Sequence, residues 1–200
     1  MQQKPETTAI EIRPLANEAE RAAYFRLNAQ IFRSQEEIEI VAATRQRFIT
    51  GMPTFDPAQL RGAFLSGQLV GGYVHLKRFL NIEETQILTG CISGVCTEAS
   101  FRKRGIAAAL MIDALDFAQK QEQHLLMLHG IPDFYHRFKY IDVCEDLPEY
   151  SFKHELIATL PATSYQVRPL TREDTPAILK LYLEQQGLSP VSFAGSRTPT

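Results

Sequence analysis

The run Val95-Cys96-Thr97-Glu98-Ala99-Ser100-Phe101-Arg102-Lys103-Arg104-Gly105-Ile106-Ala107-Ala108-Ala109-Leu110 constrains the fold more than any other stretch of the chain. An apolar strand enters a basic turn, a single glycine follows, and a small-residue amphipathic helix begins there. The first amides of a helix have no intrahelical acceptors, and the helix dipole places partial positive charge at the same end. An anionic phosphate binds at such an end. Gly105 lets backbone come close to a ligand, Ala107 and Ala108 keep side chains clear, and Arg102, Lys103 and Arg104 add charge. A purely structural helix would be expected to carry acids at this end, not three cations. The stretch therefore reads as a phosphate cradle, with an ordinary helix start as the bland alternative.

The elements on either side set the fold class. Ile10 to Leu15 alternates and stops at Pro14, which predicts a short first strand. A helix is expected from Asn17, with Ala22, Phe25, Leu27, Ile31 and Phe32 along an apolar side. A second is expected from Glu36 to Phe48, carrying Ile38, Ile40, Val41 and Phe48 and ended by Gly51-Met52-Pro53. Tyr24, Phe25, Phe32 and Phe55 are expected in the core. Leu60 to Leu65, the turn Ser66-Gly67, and Leu69 to Leu80 predict a β-hairpin. A further strand spans Thr85 to Thr97, where Gly90 and Gly94 predict a bulge or a close approach. The helix from about Lys103 to Gln121 places Ile106, Leu110, Ala114 and Phe117 on one stripe and Asp113, Asp116 and Lys120 on the wet face. Leu125-Leu126-Met127-Leu128 is apolar on both faces, as a buried parallel strand would be. An antiparallel meander followed by a βαβ unit gives a mixed sheet, class α/β (α+β), with a right-handed crossover expected.

Bulk properties narrow the function. At 200 residues with 44% hydrophobic and 22% charged residues, the chain is an ordinary globular protein able to bury a core. A net charge of -2 argues against a general nucleic-acid binder. Cys91, Cys96 and Cys144 have no metal-ligand spacing and read as reduced thiols, so no metal is expected. A polar Met1 to Thr8 and the lack of any apolar run near ~18 residues predict a cytoplasmic protein with no membrane partner.

Arg102-x-x-Gly105-x-Ala107 resembles the Arg/Gln-x-x-Gly-x-Gly/Ala signature of the GNAT superfamily of acetyl-CoA-dependent N-acyltransferases. The element order over about residues 8 to 145 is what the GNAT fold requires. Phe134-Tyr135-His136-Arg137-Phe138-Lys139-Tyr140 is similar to the Phe-Tyr-x-x-Phe-Gly-Tyr segment of many GNAT enzymes, with Lys139 where glycine is usual. Proline often stands at the position of Ala99, and glycine at that of Lys103. The resemblance implies direct acetyl transfer from acetyl-CoA to the primary amine of a small-molecule or peptide acceptor. It implies that Val95, Cys96 and Thr97 meet the pantetheine arm where two parallel strands splay. Arg102, Lys103, Arg104, Gly105, Ile106, Ala107 and Ala108 would hold the pyrophosphate, chiefly through backbone amides. Tyr135 is implied as the general acid that protonates the departing thiolate, a role a positioned phenol can fill. His75, Glu83, Glu84 and His129 are candidate bases, and a water chain would serve equally well.

Tyr165-Gln166-Val167-Arg168-Pro169-Leu170 echoes Ile10-Glu11-Ile12-Arg13-Pro14-Leu15, again before a helical stretch with Ala177, Ile178, Leu181 and Tyr182. The expected organisation is a GNAT domain over 1–160, an incomplete second GNAT-like unit over 161–186, and a disordered Gly/Ser/Pro/Thr-rich tail over 187–200. Tandem units of this kind resemble the Eis-like acetyltransferases, which assemble, so a homo-oligomer is a further possibility. Eis-like enzymes also use their C-terminal carboxylate as base, but Arg197-Thr198-Pro199-Thr200 does not match that end. The rival from another class is a non-catalytic GNAT-fold module that binds coenzyme A or serves assembly or regulation.

Overall fold

A computed structural model describes residues 9–131, 133–143, 168–187 and 191–193. The elements are β1 (Glu11–Pro14), α1 (Glu18–Phe32), α2 (Ile38–Thr50), β2 (Leu60–Leu65), β3 (Gln68–Ile82), β4 (Thr85–Thr97), α3 (Ile106–Lys120), β5 (Leu125–Leu128), α4 (Thr175–Gly187) and β6 (Val191–Phe193). The sheet runs β1-β2-β3-β4-β5, with β6 added to β3 at Leu80, Asn81 and Ile82. All pairings are antiparallel except β4 with β5, which is parallel from Thr89/Leu125 to Ile92/Leu128. This is the meander and βαβ expected from the sequence.

Two cores form, one on each face of the sheet. Tyr24, Phe25 and Ala29 of α1, with Ile38, Ala42 and Ile49 of α2, pack on Leu60, Phe64, Val74 and Cys96. On the opposite face Ile106, Leu110 and Ala114 of α3 pack on Ala63, Val70, Tyr73 and Ile92. Asn17 caps α1 by accepting from the Glu20 amide, which is why the helix begins there.

Several expected core positions lie elsewhere. Phe32, Ile40 and Phe48 are exposed, and α1 instead buries Tyr24, Phe25, Asn28 and Ala29. The expected stripe of α1 ran through Leu27 and Ile31, which only flank the core, because the helix turns its two aromatics and a polar Asn28 inward. β5 is not fully buried: Leu125 is exposed and Leu126 to Leu128 are half-buried, since among the described residues nothing pairs with its outer edge. Asp113 does not face solvent. Arg61 donates to it through Nε at 2.9 Å and Nη2 at 2.6 Å, and Tyr73 donates at 2.8 Å. These bonds tie α3 to β2 and β3.

Within the stretch 187–200, Val191–Phe193 forms β6, while residues 188–190 and 194–200 lie outside the described residues. Cys144 also lies outside them, as do residues 144–167. Cys91 and Cys96 are free thiols. Among the described residues there is no group of side chains that could hold a metal ion, and no helix is long and apolar enough to cross a membrane.

Candidate active site

The site begins where β4 and β5 part. Their pairing ends at Ile92/Leu128, but β4 continues to Thr97. Just past that point β4 bulges: Val74 pairs with Ser93 and Gly72 with Cys96, so Gly94 and Val95 together oppose Tyr73. Gly94 takes φ +63°, and a Cβ built there would lie 2.6 Å from the Tyr24 hydroxyl. Both the left-handed backbone and the close approach of α1 therefore require glycine. Gly90, the other expected close approach, lies directly against His75, Gln123 and Leu126.

Beyond Thr97 the chain makes a 3-10 turn over Ala99–Phe101 and then the basic loop. Arg102 Nε reaches back to the Thr97 carbonyl at 3.5 Å, and the Arg104 guanidinium lies 5.0 Å from the Phe101 ring centre. Gly105 stands before the first residue of α3 at φ 82° and ψ 0°, a left-handed conformation that favours glycine. Gly105 offers no side-chain cap, and the first turn holds no acid. The amides of Ile106, Ala107 and Ala108 are thus left without a capping acceptor, beside three cations. A Cβ built on Gly105 would meet nothing within 4 Å, so the approach to these amides is open. The donor set suits a pyrophosphate. Cys96 and Ile106 are buried in the two cores, so only their backbones are available to a ligand.

Tyr135 comes to the same end of the sheet from the other strand. β5 ends at Leu128, and the Tyr135 ring packs directly against Gly130, two residues on. Phe134 and Tyr140 hold it in place, with ring centres 4.9 Å and 6.1 Å away. Burial raises the Tyr135 phenol above its ordinary pKa, so it stays protonated and able to donate. Burial first, and then the neighbouring Tyr135, push Tyr140 up to about 12. The Tyr140 hydroxyl is buried, with no hydrogen-bond partner among the described residues. Lys139 closes the turn after Tyr135 at φ 70°, the conformation a glycine would take.

The candidate bases separate clearly. His75 is fully buried on the α3 face, its Nε2 bonded to Gln123 Oε1 at 2.6 Å and its ring edge-on to Phe117. Burial lowers its pKa, and with no exposed surface the ring is closed off from any acceptor, so His75 is a core residue and not the base. Glu83 and Glu84 form the β3–β4 turn, nine or more strand positions from Ser93 and so roughly 30 Å from the splay. His129 follows β5 directly and lies at the mouth of the splay. Asn28, whose side-chain amide reaches β4, is marked by no motif in the sequence. A polar residue on the inward side of α1 was the available signal. A depression of about 540 Å³ lined by Ile10, Leu65, Gln68, Phe101 and Arg104 flanks the basic loop on the β2–β3 side, away from the splay.

A mixed sheet whose one parallel pair opens onto a helix N-terminus, with a basic loop before it, is the fold of an acyltransferase domain. The chain belongs to the acetyltransferase (GNAT) domain family, which matches residues 11–141. No curated protein matches it. Among solved structures it is similar to Eis1 from Mycobacterium abscessus, at 20% identity and TM-score 0.50, over 66% of this chain and 31% of Eis1. The chain thus spans under a third of that relative. It is similar to glucosamine-6-phosphate N-acetyltransferase from Arabidopsis thaliana at 13% identity and TM-score 0.54, over 71% of this chain and 98% of the other. Saccharomyces cerevisiae N-myristoyltransferase with bound myristoyl-CoA matches at 14% identity and TM-score 0.62, over 96% of this chain and 52% of the yeast enzyme. These likenesses are of fold.

Proposed function

We propose that the protein is a cytoplasmic N-acetyltransferase that moves an acetyl group from acetyl-CoA to a primary amine of a small-molecule or peptide acceptor. The observation that carries this reading is the row of uncapped α3 amides at the mouth of the β4–β5 splay, within a domain of the acetyltransferase family. Amides of Ile106 to Ala108, with Arg102, Lys103 and Arg104, hold the pyrophosphate. Backbone groups of Val95 and Thr97, freed from β5, take the pantetheine arm. The amine nitrogen then lies against the thioester carbonyl, and most of the rate gain comes from that positioning. As the C–N bond forms and the C–S bond breaks, Tyr135 gives its proton to the departing sulfur. The amine proton leaves through His129 or a chain of waters.

We also propose that residues 161–186 begin a second, incomplete unit of the Eis-like kind, and the contacts around Arg168 support this. Arg13 binds Glu20 through both terminal nitrogens at 2.8 Å, donates to the Pro14 carbonyl at 3.1 Å, and Glu20 accepts from the Ala16 amide at 2.7 Å. Arg168 binds Asp174 at 2.8 Å and 2.5 Å, donates to the Pro169 carbonyl at 3.2 Å, and Asp174 accepts from the Thr171 amide at 2.8 Å. The repeat is one of hydrogen bonds as well as letters.

Two measurements test the enzyme reading. Acetyl-CoA at ~100 times its dissociation constant should add about 2.7 kcal/mol to the folded state, a clear rise in Tm. Tyr135→Phe should keep that rise while thiol release with an accepted amine falls by roughly 10²-fold. A Tm indifferent to millimolar acetyl-CoA would remove the reading. Binding with no turnover across a broad amine panel would favour a non-catalytic module.

A further inference from the structure

The β4 bulge exposes a carbonyl that the strand ladder cannot use, and α1 spends two buried donors on it. Tyr24 donates its hydroxyl to Gly94 O at 3.0 Å and Asn28 donates its side-chain amide at 2.9 Å. Both residues are nearly inaccessible, at 1% and 2% exposure. A buried amide and a buried phenol need partners somewhere, but nothing in simple packing requires both to converge on one carbonyl. Arg45 of α2 completes the arrangement by donating to Asn28 Oδ1. Arginine only donates and a carbonyl only accepts, so the Asn28 amide has a single orientation available. Both helices of one face thus converge on the point where β4 leaves β5.

We infer that Tyr24 and Asn28, with Arg45 behind them, are positioning residues that pin the Gly94 carbonyl and so aim the amides of the β4 bulge at the acyl group. This rests on the acyl-transfer reading above, because it gives the bulge amides, Val95 first among them, a substrate to meet. A peptide unit has its carbonyl and the next residue's N–H on one rigid plane. Two donors that fix the Gly94 carbonyl therefore also fix the direction of the Val95 N–H. A preorganised donor of this kind acts by stabilising charge as it develops on the carbonyl oxygen.

The test uses the full chain and acetyl-CoA labelled with ¹³C at the thioester carbonyl, read by difference infrared spectroscopy without any acceptor amine. Tyr24→Phe keeps the ring and its edge contact with Phe25, and removes one donor. Arg45→Met, at a half-buried surface position, frees the Asn28 amide to turn. The wild type should lower the thioester carbonyl frequency on binding, and both variants should lose most of that downshift. With an accepted amine, kcat should fall on the order of tenfold while the acetyl-CoA Kd changes far less. If the bonds only hold the fold together, the variants lose Tm but keep the full downshift, and the inference is overturned. A wild type that binds no acetyl-CoA at all overturns the acyl-transfer reading, and this inference with it.

Discussion

Lys103 and Lys139 hold the left-handed region at φ 61° and 70°, at two positions where GNAT sequences commonly have glycine. A side chain there crowds its own carbonyl at a cost of roughly 1–2 kcal/mol, while glycine loses about 0.5–1 kcal/mol of extra chain entropy on folding. Lys139→Gly should therefore stabilise the protein by up to about 1 kcal/mol, read as a higher urea midpoint. Lys103→Gly should stabilise similarly but weaken acetyl-CoA binding, because it removes a cation from the cradle. A lower midpoint for Lys139→Gly would mean that its side chain makes a contact worth more than the strain. At this scale the sequence marks the basic turn of the proposed cradle and the segment that carries Tyr135. Both are local patterns, a turn before a helix and an aromatic run after a strand. It could not tell that Cys96 and Ile106 offer only backbone, or that His75 is a core residue. Those depend on what the opposite layer places against the strand.

Among the elements, α3 was legible in its stripe, since Ile106, Leu110 and Ala114 recur at helical spacing and are buried, but it starts at Ile106 and not near Lys103, because Lys103 and Gly105 take left-handed backbone. Asp113 was placed on the wet side, although it lies seven residues from Ile106 and so on nearly the same face. Its partners, Arg61 and Tyr73, come from two other strands, and no local pattern announces such a pairing. The Arg61 and Asp113 side chains are only 12% and 17% exposed, so the pair is largely withdrawn from solvent. Asp113→Ala would leave a mostly buried guanidinium uncompensated, at a cost of about 3 kcal/mol. Asp116→Ala, at an exposed position of the same helix, should cost almost nothing. Denaturant unfolding of the two variants side by side checks this. Equal midpoints would mean that α3 is held by its apolar stripe alone. The same reasoning covers α1, whose inward Asn28 makes sense only once the bulge carbonyl it serves is in place.

Over the whole molecule, the recurrence of Arg-Pro-Leu separates what a local motif encodes from what packing adds. Glu20 and Asp174 share the arginine and backbone-amide contacts, Asp174 adding the Thr171 hydroxyl, and each is held below the ordinary carboxylate range mainly by its arginine. Their helices differ in what they bury. Tyr24, Phe25 and Ala29 of α1 sit in the core, whereas Ile178, Leu179 and Leu183, at matching places on α4, are exposed. Among the described elements α4 chiefly touches the turn that starts it. Losing the staple at α1 should thus loosen a layer of the core, and losing it at α4 should melt only α4. Glu20→Gln is expected to cost about 1 kcal/mol near neutral pH, since the pair is partly exposed. Because the folded pKa of Glu20 is depressed to about 2 from 4.5, its contribution is complete above the unfolded value. It fades as pH falls through that value, so wild type and variant should converge only below about pH 2. Asp174→Asn should leave the main unfolding transition unmoved while speeding amide exchange in α4 alone. A matching drop in Tm from Asp174→Asn would instead mean that α4 is packed as α1 is. The repeat would then extend from a local staple to a second tertiary core.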